Sequence, residues 1–310
     1  MSDLTISTAD PLSGGTTTEL AAATGRRKRT GIATVLSVIW LVAITGGALL
    51  APILPLSDPN NSSAGLKELA PFQDMGHILG GDANGRDMLS RLIYGARYSL
   101  SISVAAVVFG VLIGGILGLI SGYYRGRIGN ALTSLFDILL AIPQLVLALA
   151  LVAVLKGDPT KTDGFHLPVV LILILALGIV SIPILARITR ANTLTWSQRD
   201  FVTAARAQGA KDSRIMMREV LPNVVPAMVS IALLGIGVAI VAEGGLALLG
   251  AGVEPPAATW GTMIATGRAS LDSSAFIVLE PVAAIFFTVL ALNYLGDAIR
   301  QRFDVRESAL

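Results

Sequence analysis

The sequence predicts an all-α, polytopic transmembrane bundle of about six spans with both termini cytoplasmic, and three observations lead there. Of the 310 residues, 53% are hydrophobic and only 14% are charged, with a mean hydropathy of +0.72, whereas a soluble globular domain carries about 25% charged residues. Apolar runs recur along the chain, and the one from Leu167 to Ala186 holds no charge and is long enough for a hydrocarbon core of roughly 30 Å. Most Lys and Arg residues fall on one side of the spans so defined.

Residues 1–31 are rich in Ser, Thr, Gly and Ala, lack apolar periodicity and end in Arg26-Arg27-Lys28-Arg29, which reads as a flexible cytoplasmic tail. The apolar run Ile32 to Leu56 exceeds the roughly 7–15 residues of a signal-peptide core and is expected to be an uncleaved first span. Residues 57–98 turn polar and form an extracytoplasmic segment, whose second half, His77 to Leu100, reads as a turn followed by an amphipathic helix on the outer surface.

The core is expected over residues 99–299. A second span, Ser99 to Gly122, carries Gly110, Gly114, Gly118 and Gly122. The four-residue step keeps these glycines on one face, where a neighbouring helix can approach backbone to backbone. A third span runs from Ile128 to Leu155 and contains Asp137 and Pro143; the fourth is Leu167 to Ala186. The fifth runs from Pro226 to Ala251, and an irregular outer loop with Pro255, Pro256 and Trp260 leads to the sixth, Phe276 to Ile299. Residues 300–310 form a cytoplasmic tail. This arrangement leaves only Lys67, Arg86, Arg91, Arg97, Lys156, Lys161 and Arg268 of the 23 Lys and Arg residues outside, the bias expected of an inserted bundle.

Cysteine is absent, which excludes a disulfide framework and any thiolate chemistry. His77 and His166 are the only imidazoles and lie on different loops, so a histidine-based metal site is not expected. No phosphate-binding loop of the Gly-x4-Gly-Lys-Ser/Thr type occurs; any ATP that drives this protein is hydrolysed by another chain.

Asp137 and Glu243 are the acids that fall clearly within spans, and an intramembrane acid raises the question of a proton relay. At about 1.5 Å per residue, Asp137 lies roughly 13 Å in from the cytoplasmic end of its span and Glu243 roughly 25 Å along its own. That places them near opposite leaflets and favours separate structural hydrogen bonds. Glu280 and Asp297 fall near the ends of the last span.

The long polar segment between the fourth and fifth apolar runs is Arg199 to Pro226, within a cytoplasmic loop over residues 187–222. It contains Thr203, Ala204-Ala205, Gly209 and then Leu221-Pro222. Two small residues permit close approach of another backbone, Gly209 can adopt the positive φ that ends a helix, and Pro222 suits the first turn of the next. This pattern resembles the EAA signature of the membrane subunits of ABC importers. Two further stretches resemble the peptide-permease branch: Leu79, Gly80, Asp82, Gly85, Arg86 and Asp87, and the run from Glu243 through Gly250, Gly252, Pro255 and Pro256 to Trp260-Gly261. With Leu292-Asn293, Leu295-Gly296-Asp297 and Arg300, these resemble the C-type subunit of dipeptide and oligopeptide importers, over about His77 to Arg306.

The resemblance implies a type I importer fold in a bacterial inner membrane and a non-catalytic permease forming half of a translocation pathway. Its implied partners are a homologous B-type permease, two ABC ATPase subunits or one duplicated chain, an extracytoplasmic substrate-binding protein and a small peptide substrate. It implies no cofactor, metal or nucleic acid. Thr203, Ala204, Ala205, Gly209, Leu221 and Pro222 would couple to the ATPase. Relatives with these signatures also import nickel chelates or haem, so the substrate stays open at this point. Thr203 departs from the pattern, which opens on Glu in many relatives; Asp200, one turn earlier, can supply the missing N-terminal charge–dipole interaction, worth about 0.3–1 kcal/mol. A secondary carrier or channel would need a polar lining across its spans, and a membrane enzyme a cluster of acids, His or Ser at one interface; neither pattern occurs.

Overall fold

The computed structural model describes residues 31–157 and 167–307, with side chains to Gln301. The expected N-terminal tail, His166 and Lys161 lie outside the described residues. The described chain is built from ten helical segments: α1 (Ile32–Leu50), α2 (Met88–Tyr123), α3 (Arg127–Ala141), α4 (Gln144–Lys156), α5 (Val169–Trp196), α6 (Asp200–Ala207), α7 (Asp212–Ile215), α8 (Leu221–Leu248), α9 (Trp260–Gly267) and α10 (Phe276–Glu307). Five helical stretches are long and apolar enough to span, and the bent pair α3 and α4 brings the number to six where it counts as one broken span. Large apolar side chains such as Ile116, Val238 and Phe286 are exposed on the bundle exterior, the face that a span turns to lipid.

Helix boundaries depart from the sequence expectation where local chemistry overrides hydropathy. The first helix stops at Leu50, just before Pro52 and Pro55. The second span begins at Met88 rather than Ser99, because Asp87 caps it by accepting the Ser90 amide at 2.7 Å. There is accordingly no separate amphipathic helix; residues 57–87 fold as turns around a short 3₁₀ segment, Ala64–Leu66. The third span is not one straight helix: α3 and α4 meet at 91°. Ile142 lies there in an extended conformation (φ −83°, ψ 130°), as a residue preceding proline prefers, and Pro143 starts the next helix. The fourth helix continues past Ala186 to Trp196, and the last continues to Glu307, so the expected tail from residue 300 begins as helix.

Three helices form the centre. α2 and α5 make the most extensive pair, with α8 packed against both. α1 is peripheral and lies on α10 and α2, where Trp40 Nε1 donates to Thr288 Oγ1 at 3.1 Å. On the outer side α9 is locked to α2 by Trp260, which is fully buried; its amide donates to Ser99 Oγ at 3.0 Å and its indole N–H to the Leu92 carbonyl at 2.9 Å. A buried indole retains such partners because an unpaired donor is costly.

Candidate functional site

The C-terminal ends of α2 and α5 meet an elbow of two short helices. α6 begins at Asp200, the acid of its first turn, and Thr203 is its fourth residue. Asp200 therefore occupies the dipole-favoured position at the helix start. The helix closes in a Schellman arrangement: the Ala210 amide donates to the Ala205 carbonyl at 3.1 Å and the Gly209 amide to Arg206 at 3.0 Å. Gly209 has φ +79° there, a conformation that costs an L side chain roughly 1–2 kcal/mol.

The elbow is amphipathic and seated on a small core of its own. Val202 and Ile215 are fully buried against Leu119 and Tyr123 of α2 and against Val220 and Val224, with Ala205 and Ala210 half-buried at the edge. Thr203, Ala204, Ala207, Gln208 and Gly209 are exposed on the opposite side, and nothing approaches the open face of Gly209. The two alanines thus diverge: Ala204 is exposed, whereas Ala205 packs inward one helical step from Val202.

Polar contacts brace the same seat. Tyr123 donates its hydroxyl to Asp212 Oδ1 at 2.7 Å, and the Arg206 guanidinium lies 5.9 Å from the Tyr123 ring centroid, with Nη2 3.4 Å from the hydroxyl. That hydrogen bond pushes the Arg206 pKa above its already high range, so the residue remains a cation. Arg199 sits over the Trp196 ring at 5.4 Å, and Asp137 of α3 pairs with Arg187 of α5. None of these pairings was legible beforehand, although the apolar pairs Phe201-Val202 and Ile215-Met216 in a polar loop are the signal that marks a buried side.

Leu221 and Pro222 do not begin a separate helix. α7 runs through a π-helical turn, Met216–Val220, into α8, and the Leu221 amide bonds the Met216 carbonyl five residues back. Proline cannot donate to a carbonyl four residues earlier, and a widened turn absorbs that deficit. Leu221 is half-buried at the edge of the elbow core and Pro222 is exposed.

The four α2 glycines lie together along α5. A Cβ on Gly114 would meet the Ile182 carbonyl at 2.8 Å, one on Gly118 would collide with the Ala186 carbonyl, and one on Gly122 would meet the Arg190 carbonyl at 2.8 Å. At Gly110 the obstacle is the Ser181 hydroxyl. The two helices run parallel, so each turn of α2 meets a turn of α5 along the seam.

Glu243 and Asp137 are far apart in role. Glu243 is fully buried near the outer end of α8 and accepts the Thr259 hydroxyl at 2.7 Å, while Thr259 caps α9 through a reciprocal exchange with Thr262. Gly261 packs against Gly244 so closely that an added Cβ would lie 2.6 Å from the Gly244 Cα. The acid is thus a clamp between α8 and α9.

A parallel α2–α5 pair, a broken third span and an exposed elbow seated on span ends fit the membrane permease class. The chain belongs to the family of binding-protein-dependent transport system inner membrane components, which it matches over residues 110–308. It is 37% identical over 271 residues to the di/tripeptide transport system permease protein DppC of Pseudomonas aeruginosa, covering 86% of each chain. It is 34% identical over 278 residues to the glutathione transport system permease protein GsiD of Pectobacterium atrosepticum, covering 90% of this chain and 87% of that one. An inward-facing structure of the MetNI methionine ABC transporter superposes with a TM-score of 0.56 at 17% identity, over 70% of this chain and 97% of that chain. The protein is a multi-pass inner-membrane permease.

Proposed function

We propose that this chain forms half of the translocation pathway of an ATP-driven peptide importer, with a homologous permease, ABC ATPase subunits and an extracytoplasmic binding protein as partners. The observation that carries the reading is the elbow: an exposed strip of small and polar residues, Thr203, Ala204, Ala207 and Gly209, rigidly backed by Val202 and Ile215. Such a strip fits a cleft on another protein and passes its movement to α2 through Tyr123 and Leu119. The peptide substrate is supported by relatives named for di- or tripeptide and glutathione transport, glutathione being itself a tripeptide. Thr203, Ala204, Ala205, Gly209, Leu221 and Pro222 act here in two groups, an outward contact strip and an inward seat.

The test is purification and reconstitution. Tagged protein should carry a second permease and an ATPase through two chromatographic steps, and the complex in liposomes should take up a labelled di- or tripeptide only with ATP and its binding protein. Recovery of the chain without an ATPase would refute the coupling role. Uptake of a nickel chelate or haem in preference to peptides would refute the substrate.

A further inference from the structure

On the outer side, the loop before α2, the turn after α8 and the first turns of α9 enclose a half-open cavity of about 270 Å³. Its distinctive feature is a pair of guanidinium groups, Arg86 and Arg91, with only 11% and 4% of their side-chain surfaces exposed. Both draw on one acid. Arg86 Nε donates to Asp82 Oδ2 at 2.8 Å, and Arg91 Nε lies 3.4 Å from the same oxygen. Asp82 has little left to give, since its Oδ1 already accepts the amides of Asn84 and Arg86 at 2.8 and 2.9 Å.

Charge does not balance around this cavity. The other acid on its rim, Glu254, accepts a hydrogen bond from Lys156 Nζ at 2.6 Å, which holds its carboxyl below the usual range and neutralises it as a pair. Two cations and one carboxylate remain, so the wall carries an excess positive charge. A guanidinium offers about five N–H donors; apart from Nε, the hydrogen bond found on this pair is from Arg91 Nη1 to the Pro59 carbonyl at 3.1 Å. Most of the forked donor face is left for a ligand. Burying an uncompensated cation is costly, and the compensation that matches a guanidinium fork is a carboxylate.

We infer that this cavity is a subsite for the carboxylate end of the transported substrate, with Arg86 as the residue that meets it and Arg91 and Asp82 as the residues that orient Arg86. The inference rests on the peptide reading above. The cavity is slightly below the roughly 300 Å³ at which pockets for drug-sized ligands begin, so it suits a dipeptide or the C-terminal end of a longer peptide. Thr262 and Thr266 of α9 form the opposite wall.

The probes are dialanine and its C-terminal amide, which differ in the carboxylate alone. Titrated into the purified wild-type complex without the binding protein, dialanine should bind about ten-fold or more tightly than the amide, the range expected for a charge-assisted hydrogen bond. Arg86→Gln, in complexes shown to be assembled by co-purification, should abolish that preference, and Arg86→Lys should restore part of it. Equal binding of the two probes by the wild type overturns the inference without needing a variant, as does an unchanged preference in Arg86→Gln. If the wild type binds with the expected preference but transports neither probe, the peptide reading fails and the carboxylate site stands.

Discussion

The Tyr123 hydroxyl donates to Asp212 Oδ1 at 2.7 Å, which ties the last residue of α2 to the first residue of α7. The two positions are 89 residues apart, and the bond closes the elbow against the span that also carries the glycine seam. The elbow is thus joined to α2 by one polar link from α7 and one apolar cluster, Val202, Ile215 and Leu119.

Removing the polar link alone should loosen transmission and spare the fold. Tyr123→Phe keeps the ring in the cluster and deletes the bond, which is worth about 1 kcal/mol net at a partly exposed site. The expected outcome in reconstituted membranes is a several-fold drop in peptide uptake per ATP hydrolysed, with the yield of assembled complex unchanged. An uptake-to-hydrolysis ratio equal to the wild type would show that the apolar cluster suffices.

Leucine at Gly114 and Gly118 should separate α2 from α5. The Ile182 and Ala186 carbonyls stand where even a Cβ would sit, and packing is the main force holding helices together in lipid. The double variant should give markedly less assembled complex, as measured by co-purification. Gly115→Ala is the comparison at a neighbouring site, since its nearest obstacle is the flexible Met228 side chain; it should assemble normally.

Apolar run length made the approximate number of spans legible in the sequence. The positions at which helices start and stop were less so, because a single cap or proline decides them. Asp87 moved the start of α2 outward by a carboxylate–amide bond, and Pro143 folded what hydropathy reads as one span into two helices at 91°. In the elbow, Gly209 could be read from its residue type, as only glycine takes φ +79° without strain. The opposite facing of Ala204 and Ala205 could not, since neighbouring alanines are alike until the position of Val202 orients the helix. Pro222 illustrates a different limit: its meaning depended on whether the preceding residues could widen into a π turn.

The clamp at the outer end should respond in a graded way. Glu243 accepts the Thr259 hydroxyl in a fully buried setting, so Glu243→Gln keeps an acceptor in place while Glu243→Ala leaves Thr259 to find another partner. A lost hydrogen bond with a buried group left unsatisfied costs about 1–3 kcal/mol. Thermal unfolding of the purified complex should therefore show Gln close to wild type and Ala clearly lower. A reversed order would mean that the site needs no acceptor.

Single cysteines test orientation cleanly in a chain that has none. Ser63 and Ser273, both exposed and on the outer side in this topology, should react with an impermeant maleimide in intact cells. Ser213, exposed next to the elbow, should react only after the membrane is opened. Labelling of Ser213→Cys from outside would invert the topology and remove the elbow from the cytoplasm.

The coupling role is tested most sharply by a pair of substitutions on the two faces of α6. Ala204→Trp adds bulk to the exposed strip without touching the seat, so it should block docking of the ATPase while leaving the permease folded. Ala205→Trp adds the same bulk next to Val202 and Ala210, where overpacking costs roughly 1–3 kcal/mol, and should weaken the elbow itself. Gly209→Val forces a β-branched residue into φ +79° and should distort the joint. All three should lose uptake and the stimulation of ATP hydrolysis by loaded binding protein, but only Ala204→Trp should keep the wild-type thermal stability of the isolated permease. Thr203→Glu, on the exposed face next to Ala204, adds an acid within reach of the helix N-terminus and should retain or improve coupling. Normal transport by both Ala204→Trp and Gly209→Val would show that ATPase motion enters the permease elsewhere.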